Sequence, residues 1–252
     1  MTELTNGLSA LLALSAEQQV ESMRRTNPGV WAEDRLGYVN ADFHWEWYGL
    51  AKHASRLAVI APREHAKSEV FAVNMTAWRS IYQSGIWTYV FTSTLDQAKA
   101  IKARIDATLL ATEAWMVQDA HVMSAEVSVY ANWSKVTVAG SGKRVRGAHP
   151  DIIIGDDVLD EESALTSYQR AKIERWWLGT VSGMAHPGTT RIVGGLRKGF
   201  PPTRVVLVGT PFHSQDLLMS MKSNPLYTYR RYSAEYEPSE LHLKDSLAVE
   251  YS

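Results

Sequence analysis

Leu57-Ala58-Val59-Ile60-Ala61-Pro62-Arg63-Glu64-His65-Ala66-Lys67-Ser68 is the stretch on which the reading of this chain turns. Four apolar residues lead directly into the spacing G-x-x-x-x-G-K-[ST], with Ala61 and Ala66 at the two glycine positions. The apolar run reads as a strand, and Val70, Phe71, Ala77, Trp78 and Ile81 then recur at helical spacing. A strand that turns into a helix here aims free backbone N–H groups at an anion, brings a lysine to terminal phosphates and sets a hydroxyl beside Mg²⁺. Pro62, Arg63, Glu64, His65, Ala66, Lys67 and Ser68 are therefore the candidate phosphate-binding residues, with Ser68 also a candidate metal ligand. Glycine takes positive φ freely, so alanine at both glycine positions is expected to hold an ordinary dihedral. Taken alone, the pattern also describes a strand–turn–helix with an exposed lysine.

A second stretch supplies the other half of a site. Asp151-Ile152-Ile153-Ile154-Gly155-Asp156-Asp157 is an apolar run closing on two adjacent carboxylates, as a buried parallel strand reads when its end opens into a cleft. Ligands of open α/β sheets sit outside the carboxyl ends of the strands, so this strand and the one before Lys67 present both motifs at one edge. One acid would hold Mg²⁺ and the other would orient or deprotonate an attacking water. The bland reading is a solvated acidic turn, since Asp160, Glu161 and Glu162 follow. A third run, Arg204-Val205-Val206-Leu207-Val208-Gly209-Thr210-Pro211, stops at a small polar residue, with His213, Asp216 and a helix-like Leu217-Leu218-Met219 after it.

Together, PREHAKS, the pair Arg146-Gly147 ten residues ahead of Asp156-Asp157, and VGTPFHSQDLL resemble the ATPase domain of phage terminase large subunits. Those proteins are motors that pump DNA into preformed capsids. The resemblance runs from about His44 to about Tyr236 and is most specific in the GTPxHxxDL segment and the RG-to-DD spacing. It implies a P-loop NTPase fold of the RecA-like (ASCE) type: an α/β, mostly parallel sheet with helices on both faces and antiparallel additions. It implies ATP and Mg²⁺ as cofactors, double-stranded DNA as the moved substrate, a portal protein and a small terminase subunit as partners, and a homo-oligomeric ring, a pentamer when assembled. Position by position, Lys67 and Ser68 look like the phosphate and Mg²⁺ ligands, Asp156 the Mg²⁺ aspartate and Asp157 the catalytic carboxylate. Thr210 looks like the coupling residue, Arg63 the extra P-loop arginine, and Arg146 a finger for a neighbouring subunit's γ-phosphate. Two departures stand out: both loop glycines are alanine, and the catalytic carboxylate is Asp where Glu is commoner, one methylene shorter.

Composition sets outer limits. At 252 residues, 45% apolar and 21% charged, the chain has material for one sizeable core. It has no cysteine, so disulfide frameworks and Cys-type zinc sites are excluded. The apolar stretch Leu8–Leu14 is too short to span a bilayer, and the protein is expected in the host cytoplasm with no membrane partner. A net charge of −1 leaves DNA contact to local patches: Lys143-Arg144-Val145-Arg146, the segment Arg191 to Arg204, and Arg230-Arg231. The eight histidines show no metal-binding spacing; His65 could touch phosphate or brace its loop, and His213 braces the turn after Thr210.

The organisation expected is a lead-in region over 1–43, an ATPase domain over 44–236 and a polar tail over 237–252. Residues 8–25 read as an amphipathic helix, followed by a loop rich in aromatics, any of which could stack on adenine or build core. Trp87–Thr92 reads as a strand, Thr94 as a helix cap, and Val127–Val138 as a hairpin turning at 132–134. Residues 168–178 read as a helix, and 189–194 with 204–210 as a second hairpin or a crossover. The chain is too short for the nuclease into which terminase large subunits usually continue, so it reads as the ATPase part alone. Rival readings are a helicase-like nucleic-acid-dependent ATPase, a non-hydrolysing nucleotide-binding scaffold, and a two-metal nuclease on Asp156, Asp157, Asp160 and Glu161.

Overall fold

The computed structural model describes residues 15–233, apart from the side chains of Glu162 and Ser163. The polar tail and the first part of the helix expected over 8–25 lie outside the described residues. Its remainder is helix α1 (Ala16–Thr26), opened by a capping box in which Ser15 and Gln18 each bond the other's backbone N–H.

Among the described residues, ten strands follow from the apolar runs. Eight form one sheet in the order β10-β1-β9-β6-β2-β5-β4-β3. These are β1 (Arg56–Ile60), β2 (Trp87–Thr92), β3 (Val122–Met123), β4 (Val127–Val129), β5 (Lys135–Gly140), β6 (Ile152–Asp156), β9 (Arg204–Gly209) and β10 (Thr228–Arg231). Pairing is parallel from β10 through β5, and the β5–β4 and β4–β3 pairings are antiparallel. The sheet is therefore the mostly parallel one expected, and β9 lies between the strand before Lys67 and the strand ending at Asp156.

Both faces are covered. Leu57, Val59, Val90, Ile154 and Val206 face one core, shared with helices α2 (Pro28–Leu36), α3 (Asp42–His53), α4 (Met75–Tyr82) and α5 (Leu95–Thr112). Ala58, Ile60, Phe91, Ile153 and Leu207 face the other, under α8 (Ser167–Arg175), its π-helical continuation Trp176–Val181 and α9 (Leu217–Ser220). This period of two, buried on both sides, is why the strands read as unbroken apolar runs. Short helices α6 (Ala114–Gln118) and α7 (Glu161–Leu165) complete the set. Trp177 packs so closely on β6 that a Cβ at Gly155 would come within 2.5 Å of its ring. Only glycine fits there.

One expectation is corrected. The aromatic stretch is not a loop but α2 and α3. The Asn27 side chain accepts from the N–H groups of Gly29 and Val30, Pro28 fills the first helical position, and Gly37 closes α2 at φ 71°. Trp31, Trp47 and Tyr48 are buried in the sheet's core and build the fold, whereas Tyr38, just past α2, is exposed. Residue 44 lies within α3, and Trp31, from the lead-in region, shares a core with β1. Of the two alternatives for 189–194 and 204–210, the crossover holds: Thr189–Val193 (β7) pairs with Leu196–Phe200 (β8) in a separate two-stranded sheet, and 204–210 crosses into the main one. The expected hairpin at 132–134 and the Thr94 cap are present.

Candidate functional site

The loop after β1 runs into a helix that opens with a π-helical turn, Glu69–Asn74, and continues as α4. Ala66 stands at φ 57° and Glu64 at φ 65°, both left-handed. The expectation that alanine keeps an ordinary dihedral is thus overturned at Ala66. The loop must bring its N–H groups round to the helix start, and that turn outweighs a steric cost of about 1–2 kcal/mol per left-handed residue.

The loop is tied down from two sides. The Ala61 N–H donates to the Gly209 carbonyl at 3.3 Å, and the Thr210 hydroxyl donates to the Ala61 carbonyl at 3.2 Å. The buried Lys67 ammonium donates to Thr210 Oγ1 at 3.0 Å and to the Pro62 carbonyl at 2.5 Å. Burial pulls the Lys67 pKa down, against the pull of Asp157 and Asp156. His65 braces rather than reaches out: its Nδ1 lies 2.8 Å from the Arg63 carbonyl, and His44 Nε2 lies 3.2 Å from the His65 carbonyl. His213 Nδ1 accepts from the Gln215 N–H at 3.0 Å, bracing the turn after Thr210, where Asp216 also caps α9.

Asp156 ends β6 with its side chain buried and its Oδ1 without a hydrogen-bond partner. Burial pushes its pKa to about 7, against a hydrogen bond from the Ser68 hydroxyl and the more distant charges of Lys67 and Arg104; Asp157 adds to the rise. A buried carboxylate with an orphaned oxygen beside a hydroxyl is the oxygen donor set that a hard cation such as Mg²⁺ takes. Asp157 turns at φ 44°, so its Oδ1 accepts from the Thr210 N–H at 3.0 Å. Gly209 permits this approach, since a Cβ there would sit 2.6 Å from that oxygen.

Lys67, Ser68, Arg63, Ala66 and Asp157 line one cleft of about 480 Å³ with Tyr38, Glu69 and Arg104. Arg63 reaches Glu161 at 2.9 Å and stands over the Phe212 ring, largely in solvent. Arg146 does not join this cleft in its own chain; it is exposed in the loop between β5 and β6. Sequence reasoning missed Glu69 and Arg104, and held Tyr38 only as one of the aromatic rings that could stack on adenine or build core. Glu69 accepts from the Tyr38 hydroxyl at 2.5 Å and pairs with Arg104 of α5. Glu69, next to Ser68, carried a local signal; the places of Tyr38 and Arg104 depend on α2 and α5 lying beside the loop.

Elsewhere, the basic patches are partly committed. Arg191 pairs with Asp151, Lys198 donates to the Ser84 carbonyl, Lys143 pairs with Glu126 and Arg230 with Glu46. Among the described residues no cluster of His, Asp and Glu is arranged to hold a metal, and no helix is long and apolar enough to cross a membrane.

No protein-family model and no curated protein sequence matches the chain. Among solved structures, it is similar to the large terminase ATPase domain of Thermus phage P74-26, with a TM-score of 0.59 and 13% identity, over 88% of this chain and 94% of that one. An arginine-to-alanine variant of that domain gives a TM-score of 0.58 at 12% identity, over 82% of this chain and 86% of that one. With β1, β6 and β9 side by side in a mostly parallel sheet, the chain has the fold of a phage large-terminase ATPase domain.

Proposed function

We propose that the chain is an ATP-hydrolysing motor domain of a terminase large subunit, driving double-stranded DNA into a capsid. The observation that carries this reading is the buried Asp156 with its unpartnered oxygen beside Ser68, at the same sheet edge as the Lys67 loop. Ser68 and Asp156 would hold Mg²⁺, which when bound neutralises charge on the β- and γ-phosphate oxygens. Lys67 exchanges Thr210 and Pro62 for the phosphates. Asp157, fixed through Oδ1 by the Thr210 N–H, has its other oxygen to orient the attacking water. Its shorter side chain is matched by the left-handed turn that swings the carboxylate over the end of β9. Arg63 leaves Glu161 to add positive charge at the γ-phosphate, and the exposed Arg146 serves a neighbouring subunit.

Phosphoryl transfer asks for positioning and charge neutralisation more than covalent chemistry, so these groups suffice. The partners this reading carries are a portal protein, a small terminase subunit and further copies of the chain in a ring of five, acting in the host cytoplasm. The test is thermal stability with and without Mg-ATPγS, for the wild type and Lys67→Ala. A ligand at ~100 times its dissociation constant adds ~2.7 kcal/mol. The wild type gains this and the variant does not; no gain in either removes the proposal. A finger supplied in trans is worth ~10³–10⁵ in rate. Arg146→Ala is therefore expected to abolish the activity of assembled protein while leaving nucleotide binding intact.

A further inference from the structure

The opposite edge of the sheet holds a second cavity, of about 300 Å³, at the N-terminal ends of β6 and β9. Ligand clefts of open α/β sheets lie at the other edge, so this space is unrelated to the Lys67 cleft and stands on observations independent of it. His53 from the end of α3, Arg79 from α4 and Arg204 from the start of β9 all line it.

Arg79 is the telling residue. Its side chain is buried, only 5% exposed, yet among the described residues it has no carboxylate partner. Its Nη2 donates to the Ala51 carbonyl at 2.5 Å, and the Arg204 Nη1 to the Ala54 carbonyl at 3.3 Å. Lys52, also on the wall, donates to the Thr26 carbonyl. Three cations are thus held by neutral acceptors. The one acid on the wall, Asp151, is committed elsewhere: Arg191 reaches both its oxygens, and His186 and the Trp87 N–H take one each. A buried charge without a counter-charge is strongly unfavourable. The electrostatics agree: burial lowers the His53 pKa and Lys52, Arg204 and Arg79 lower it further, while burial and then Arg204 bring Arg79 down to about 9.

We propose that this cavity binds a small phosphorylated ligand, its phosphate between Arg79, Arg204 and His53. The donors come from three elements around one cavity, which suits the several oxygens of a tetrahedral phosphate better than the planar pair of a carboxylate. Trp78, Ile86 and Phe200 supply an apolar wall for an organic group. The volume lies at the small end of ligand sites and suits a phosphate monoester, whereas a duplex backbone would need an open track.

The test uses Lys67→Ala protein, so that binding at the other edge is silenced, and follows the His53 imidazole by NMR, assigned with His53→Gln. Phenylphosphonate and inorganic phosphate are titrated in turn. Both are expected to shift the His53 signals saturably, phenylphosphonate with a dissociation constant below about 1 mM, and to raise the His53 titration midpoint. Arg204→Gln is expected to weaken binding by about tenfold or more, as the loss of a charged donor does. Arg204 is half-buried and carries the test should changes at Arg79 fail to fold. Failure to saturate, or equal binding by Arg204→Gln, overturns the proposal. So does a short DNA duplex that moves the His53 signals where the two small anions do not.

Discussion

Asp151, just before β6, and Asp156, its last residue, are both 3% exposed, and they are opposite cases. Asp151 is saturated: Arg191 grips both its oxygens, His186 Nε2 lies 3.1 Å from one and the Trp87 N–H donates to the other at 2.7 Å. Asp156 has an oxygen with no partner, and burial holds its pKa at about 7. Of the four described non-glycine residues with positive φ, three, Glu64, Ala66 and Asp157, also lie at the Asp156 end, the fourth being Trp133 in the β4–β5 turn. One end of the strand is finished as structure; the other is left charged, strained and incomplete. Incompleteness at a buried carboxylate, rather than burial itself, marks where a ligand belongs.

The harshest way to break this contrast is Asp151→Ala. It strands Arg191 and His186 and should cost about 3–5 kcal/mol in urea denaturation, with the nucleotide-induced stabilisation of the folded fraction intact. A cost under about 1 kcal/mol would mean that the two ends are alike. Next comes Asp156→Asn, which should lose the ~2.7 kcal/mol that saturating Mg-ATPγS confers, read as a vanished rise in melting midpoint. The same variant sharpens the comparison through pH. A carboxyl whose folded pKa lies above its unfolded value of 3.8 keeps its contribution below about pH 4 and withdraws it as pH climbs to about 7. Metal-free wild type should therefore lose stability across that window relative to Asp156→Asn, which should end as the more stable protein at pH 8. The smallest effect is expected of Ala66→Gly. Relief of a left-handed alanine should raise stability by about 1 kcal/mol in the same denaturation, and a loss would show that the strain is not there.

Much of this was legible in the chain because it is local. The runs 57–60, 152–155 and 205–208 are unbroken because both faces of the sheet are covered, and their polar ends mark the cleft. Lys67, Ser68, Asp156 and Thr210 do meet at one edge, as their places at strand ends require. What escaped was non-local or disguised. The cap at Asn27 and the stop at Gly37 were present in the sequence, but the density of large rings around them read as a loop. The partners of Asp151 come from residues 186 and 191, and no pattern around Asp151 foretells them. Arg104 and Tyr38 reach the cleft only because two helices flank the loop. Ala66 is left-handed against its residue type because the demands of the turn outweigh a local propensity.

The strand order also sets a timetable. β1 emerges early in synthesis, but both its neighbours, β9 and β10, are made from residues 204–231. Ala54 and Arg204, which meet beside β1, are 150 residues apart in the chain. At about 5–20 residues per second, a ribosome leaves the strand before Lys67 without either partner for on the order of ten seconds. The loop at 61–68 is fastened through Gly209 and Thr210, so it cannot take its final shape before they arrive. Competence to hold a ligand at that edge is thus acquired among the last steps of folding, and a half-made chain has no finished loop to engage one.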